Sequence, residues 1–278
     1  AVTRNAEALR VQSGAWQAAT AQPDYGLLDI AQGAVLTVAE NTQGELAITT
    51  RQIQLGGRLN VELATDREPG DLTGLTIGGA GSLHLTGPAT FLVDDATGLQ
   101  HTGGTFVDNG ELLLTTEFAG DITTSGDGLF ELSAGGDFTG DLVNNGIFRF
   151  NREDSYEFTG DFSGTGLLEK RGAGTLNFTG LYAFTGTTSI LGGTVVFAGQ
   201  IDEDAELELS EGATVDLSTA PNGQQTIAEL EGTGGTVQLG QTNLVIEQSN
   251  NTVFAGDITR TGTLTKQSEG GLKLNGDG

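Results

Sequence analysis

Few residues in this chain have both the type and the spacing for chemistry. Asp94 and Asp95 are adjacent, and His101 follows in the same stretch, DDATGLQHTG at 94–103. Paired carboxylates beside an imidazole are the parts of a general acid–base site. A second set is Asp121, Asp141 and Asp161, which recur at one fixed spacing and each follow a glycine. Two readings are open for it. Stacked carboxylates can share Ca²⁺, or each Asp can hydrogen-bond its own turn. The set stops at Leu181 and Gln200, which weighs against a continuous metal ladder. There is no Gly-x-Ser-x-Gly, no His-Glu-x-x-His, no phosphate-cradling Gly-Lys-Ser/Thr and no Gly-Gly-x-Gly-x-Asp repeat. These residues give no reason to expect an enzyme or a bound cofactor, and they are taken as candidate binding residues only.

What must position them is a repeat. The phrase Phe-(Ala/Thr)-Gly recurs in period at Phe118, Phe138, Phe158, Phe178 and Phe197, at separations of 20, 20, 20 and 19, and again at Phe254, three such periods further on. A fixed period near twenty marks a solenoid. A β-sandwich would turn every 8–12 residues or so and prefer no single phrase. Between the glycines lie apolar-x-apolar triplets such as Leu176-Asn177-Phe178 and Val195-Val196-Phe197. Strands this short are stable only when the next repeat stacks on them. The expected fold is an all-β parallel β-helix of roughly 14 rungs of about 19–20 residues, with Phe118, Phe138, Phe158 and Phe178 in one interior column. Among β-helix enzymes, those that cleave pectin hold an anionic substrate with basic side chains. Here no Lys or Arg lies between Asp95 and Arg149.

Composition agrees with a turn-rich solenoid: 45 of 278 residues are glycine, about twice the average share of roughly 7%. Twelve basic and 37 acidic residues give a net charge of −25, which repels phosphate backbones and anionic membranes, so no nucleic-acid partner is expected. Cysteine is absent, so there is no disulfide framework or thiolate site. No apolar run approaches the roughly 18 residues of a membrane span. With no Met even at position 1, the chain reads as an excised piece.

Along the chain, strand candidates fall at 35–38, 45–48, 59–63, 75–77, 83–85, 91–93, 105–107 and 112–114. Residues 6–10 admit a short helix, although Leu9 and Val11 alternate as a strand would. Trp16 is expected to cover the end of a core or to fill a rung. Four stretches read as loops leaving the cylinder, 64–73, 94–103, 151–156 and 218–226, of which 94–103 is the best candidate for partner contact. Residues 1–115 are the less regular part of a single β-helical domain, and 116–278 the regular part.

The stretch 164–197 carries a family resemblance. Gly164, Gly166, Leu168 and Lys170, then Gly172, Gly174, Thr175 and Leu176, then Thr185, Gly186 and Thr188, then Gly192, Gly193 and Thr194 resemble the passenger-associated transport repeat of Gram-negative autotransporters. Tyr182, Phe184 and Val195 replace the Asn, Tyr and Leu usual in that repeat. A second copy at 262–278 has Gly262, Leu264, Lys266, Gly270, Leu272 and Leu274, with Ser268 and Gly271 as departures. Lys170 and Lys266 hold equivalent places, where each is expected to pair with acids of a neighbouring rung. The resemblance implies right-handedness, a signal peptide before this segment and an outer-membrane β-barrel after it. That barrel would be its partner during type V secretion. It also implies a passenger displayed at the surface of a Gram-negative bacterium, acting in virulence-related adhesion to a host or bacterial protein or glycan, or in self-association with another copy. The alternative is the inert stem of an autotransporter whose protease or esterase domain lies outside this segment.

Overall fold

A computed structural model describes residues 1–276, apart from 5, 6, 19–21, 23, 24, 41–45, 48, 49, 70 and 96. The described residues contain strands and no helix, and the fold is a parallel β-solenoid of about 13 turns, of the right-handed β-helix type. Two compact units divide the chain, Ala1–Gly140 and Asp141–Gly278.

In the first unit one sheet stacks Leu9 on Leu28, Ile53, Ile77 and Leu99 in register. The successive offsets in residue number are 19, 25, 24 and 22, so most of these rungs are longer than the expected 19–20. The extra residues sit in corners such as 64–69 and 71–75. A second sheet stacks Leu36, Leu59 and Leu83, all buried. Trp16 pairs with Leu36 and closes this column, with the Arg4 guanidinium 5.0 Å from its ring centre. Strand Val2–Arg4 folds back antiparallel on Ala8–Val11 and covers its edge. Of the stretch 6–10, residue 6 lies outside the described residues and 8–10 fall in strand Ala8–Val11, so alternation prevails there over the helical option. The expected strand at 45–48 has both ends outside the described residues; Leu46 makes a single antiparallel bridge to Glu40.

In the second unit the rungs are nearly equal. Tyr156, Leu176, Val195, Val215, Val237 and Ile258 stack at offsets of 20, 19, 20, 22 and 21. Phe158, Phe178 and Phe197 stack beside them, with centroid separations of 5.4 and 5.6 Å. In the first unit Phe118 and Phe138 do the same at 6.3 Å. Each of these rings is buried, worth roughly 1.5–3 kcal/mol apiece. Phe254 does not continue the series. Below Phe197 the register brings Leu217 and Leu239, whereas Phe254 pairs with Gly232 in another sheet. Its distance from Phe197 only mimics three rungs, because the rungs between have lengthened.

Lys170 and Lys266 differ from expectation. Lys170 is fully buried and stacks between Phe150 and Ile190 in an inward column. Its Nζ donates to the carbonyls of Arg171 (2.6 Å), Gly172 (2.8 Å) and Gly192 (3.1 Å), and lies 5.4 Å from the Phe150 ring centre. Lys266 repeats this, donating to Gln248 (2.9 Å), Gln267 and Ser268 (3.3 Å). Among the described residues no carboxylate is paired with either ammonium. A tight corner turns several carbonyls inward where no backbone N–H can reach them, and one ammonium with three donors satisfies them together.

Burial pulls the Lys170 ammonium down from 10.5 to about 8, with Glu153 acting weakly against it. Because the unfolded chain then binds more protons between those pH values, the folded state gains on the unfolded one as pH rises through that window. Lys170→Met removes the titration and leaves the carbonyls unpaired, and should cost roughly 1–3 kcal/mol at neutral pH. The stability of wild type relative to Lys170→Met, from urea unfolding, should increase from pH 7.5 to pH 10. A gap that stays flat or shrinks would contradict the carbonyl clamp as a buried charge.

Candidate functional site

The residues singled out by type fall in three places. Asp94 follows strand Thr90–Val93, and its carboxylate accepts a hydrogen bond from the Thr97 hydroxyl at 3.3 Å. Asp95 is exposed in the turn. His101 lies elsewhere. The stretch 94–103 is not one loop, because Gly98–His101 is a strand paired in parallel with Thr76–Gly79. Its short Gly-Leu-Gln-His alternation is hidden between Asp-rich and Gly-rich ends. His101 is buried, its Nε2 2.9 Å from the Thr105 hydroxyl and its ring beside Phe118 at 5.9 Å. Burial lowers its pKa, and the Gly104 carbonyl opposes this in part. None of these contacts is with Asp94 or Asp95.

The fold instead brings His101 towards Asp121. Both line a hollow of about 200 Å³ between Leu99–Thr102 and Ala119–Asp121. It lies where the sheet ending at Gly98–His101 gives way to the separate pair Glu117–Phe118 and Asp137–Phe138.

Asp141 and Asp161 act between rungs. Asp141 Oδ1 accepts the Asp161 amide at 2.8 Å, and Asp161 Oδ1 accepts the Leu181 amide at 3.2 Å. Each carboxylate thus holds the corner one rung on, a variant of the Asx reading in which the amide belongs to the next turn. Among the described residues no group of three His, Cys, Asp or Glu is placed to hold a metal ion.

The other loop candidates also shrink. Asn151 ends strand Leu142–Asn151 and Tyr156 begins Tyr156–Phe158, leaving a corner at 152–155 in which Arg152 pairs with Asp154. In 218–226, strand Gln224–Ile227 begins within the expected loop. Buried Gln225 accepts from the Ile201 amide at 3.0 Å and donates to the Gly199 carbonyl at 2.8 Å. Its role as an interior connector is what makes polar QQT a strand.

Two clusters are not legible in the sequence. Parallel strands Glu206–Leu209 and Glu229–Gly232 stack Glu206 on Glu229 and Glu208 on Glu231. Partial burial and then repulsion from Glu229, Glu208 and Glu206 push the Glu231 pKa up. An offset of 23 between those strands hides the pairing from a period of twenty. The second cluster centres on His84, whose ring stacks on Phe106 at 4.3 Å and 6°, with Nδ1 3.4 Å from Asp108 Oδ2. Only the register Asn60, His84, Phe106 puts these side chains together.

Asp161→Asn keeps an acceptor for Leu181 and should leave stability nearly unchanged, while Asp161→Ala should lose roughly 0.5–1.5 kcal/mol. Calcium and EDTA should leave the wild-type Tm in place. A calcium-dependent rise in Tm that Asp161→Asn abolishes would restore the shared-cation reading.

Compared with models of protein families, with curated proteins and with solved structures, the chain matches none.

Proposed function

We propose that this chain is part of the extracellular passenger of a Gram-negative autotransporter, a secreted β-helical module that acts at the cell surface in adhesion or self-association. The observation that carries the reading is the use to which the transport-repeat residues are put. A Cβ on Gly164, Gly166, Gly172, Gly174 or Gly186 would meet a backbone oxygen of the preceding rung at 2.0–2.3 Å. Lys170 closes the corner carbonyls of the same stretch. In the second copy Gly262 and Gly270 meet the same obstacle at 2.1 and 2.2 Å, and Lys266 closes its corner in the same way. The motif thus reads as a code for adding one rung to another. Such a segment offers each new turn of chain a ready-made edge, which suits a polypeptide that folds as it emerges from a barrel.

Adhesion fits the surface better than catalysis does. His101 and the Asp141–Asp161 pair serve packing and corner bonding, and the acids outnumber the bases in both units. The contact surface is assigned to the places where chain leaves the rungs, 64–75, 94–97, 152–155 and 218–223. Where the contact is with a basic partner, salt should weaken it, because exposed opposite charges are screened.

Replacing each of these corners by a minimal Gly-Asn-Gly turn, in chains displayed on cells, tests the reading. Loss of clumping or of surface adhesion in at least one replacement, with thermal stability kept, is the expected result. If all four fold and association is unchanged, the segment is an inert stem and the activity of the parent protein lies elsewhere.

A further inference from the structure

We propose that the outward face of the first unit carries a shallow binding site for an oligosaccharide bearing an isolated carboxylate, with Arg58 as its anchor. Arg58 is half-buried in strand Arg58–Glu62 and points outward in register with Val35 and Ser82. Its Nε donates to Asn60 Oδ1 at 2.6 Å, and Asn60 Nδ2 donates to the Thr37 hydroxyl at 3.0 Å, so the head group is held in place. Among the described residues the two terminal guanidinium nitrogens have no hydrogen-bond or ion-pair partner. Three other guanidiniums of this unit are engaged, Arg10 with Asp29, Arg67 with Glu40 and Arg4 over Trp16, and Arg51 is exposed away from this hollow's lining. An arginine fixed at its root, with its planar fork open, matches the two oxygens of a carboxylate.

The space beside it is shaped for a chain rather than a point ion. Arg58 and Ser82 line an open hollow of about 330 Å³ together with Val35, Ala80 and a run of glycines that includes Gly33, Gly57, Gly81 and Gly103. These glycines lie on four successive rungs, so the hollow runs roughly 14 Å along the axis at about 4.8 Å per rung. A Cβ on Gly57, Gly81 or Gly103 would strike backbone oxygen at 2.3, 1.9 and 2.4 Å. At these glycines the lining is bare main chain, which a ligand can approach closely. One outward position further along the same strands are Asn60, His84 and half-exposed Phe106, a mixed polar and ring-edge surface.

The ligand class follows from what is missing. A peptide partner needs a buried aromatic or aliphatic anchor, and the hollow offers no pocket for one. A polyanion is repelled, because residues 1–140 hold 5 arginines against 18 acids, a net charge of −13. A largely neutral sugar chain with a single acidic residue meets both limits: hydroxyls for Ser82 and the main chain, one carboxylate for Arg58. The site stands whether or not the segment self-associates or belongs to an autotransporter.

The probe is aldotriouronic acid, a xylose pair carrying one glucuronic acid residue, titrated into the full chain and followed by amide NMR and calorimetry. It should bind with shifts at Gly57, Gly81 and Ser82, while neutral xylotriose and polygalacturonate bind at least roughly tenfold more weakly. Arg58→Gln should lose roughly tenfold or more, and Arg58→Lys should fall between, since it keeps charge and loses the fork. Thermal unfolding of both variants checks that the rungs survive, and Phe106→Ala offers a separate readout several-fold weaker than wild type. The proposal is overturned if the acid does not bind, if xylotriose binds equally, or if folded Arg58→Gln binds as well as wild type.

Discussion

Everything in this structure rests on how closely one turn of backbone lies on the next at the corners. A strand of three or four residues stacks comfortably with side chains, but the bend after it brings a Cα almost onto the carbonyl beneath. At Gly81, Gly166 and Gly180 a single added methyl would lie 1.9–2.2 Å from that oxygen, far inside contact distance. Glycine at these corners is required by space as well as by torsion, since many of the tight positions do not have positive φ. The sequence period is the imprint of that constraint.

With corners fixed, the interior is filled by columns. Like stacks on like: Phe158 on Phe178 on Phe197, and Leu176 on Val195 on Val215. Several of the enclosed polar groups have a defined task. Lys170 satisfies three corner carbonyls, Gln225 ties residues 199–201, and the Tyr182 hydroxyl meets Thr188 at 2.6 Å, its pKa driven upward by full burial. Such groups are costly if unpaired and specify one register when paired. The outer surface is free of these demands, which is why acids accumulate there.

The period from Phe118 to Phe197 is legible because rungs of nearly constant length repeat one phrase in phase. Legibility fails where rung length drifts. Phe254 shares the phrase and occupies a different sheet, and the stack of Glu206 on Glu229 needs a longer rung that no fixed period suggests. It fails again where a strand has a single apolar residue among polar ones: Gly98–His101 and the first three residues of Gln224–Ile227 read as loop, and their strand character comes from the edges they meet. Of the candidate site, the residue types of Asp94, Asp95, His101 and the Asp series are visible in the sequence, but their partners are not. His101 has Thr105, Phe118 and Gly104 about it, and the carboxylates of Asp141 and Asp161 bond amides one rung on. The motif locates Lys170 but misleads about its partner, because charge suggests carboxylates while geometry supplies carbonyls.

The most direct test of the corner constraint compares two glycines of the same phrase in successive rungs. A Cβ at Gly180 would lie 2.1 Å from the Gly160 carbonyl oxygen, whereas at Gly199 the nearest atom is 3.7 Å away, and neither has positive φ. Equilibrium urea unfolding of Gly180→Ala and Gly199→Ala separates steric approach from glycine's chain entropy, which acts on both alike. Gly180→Ala should lose roughly 2 kcal/mol or more, and Gly199→Ala should stay within about 0.5 kcal/mol of wild type. Equal losses in the two variants, or a stable Gly180→Ala, would contradict the constraint.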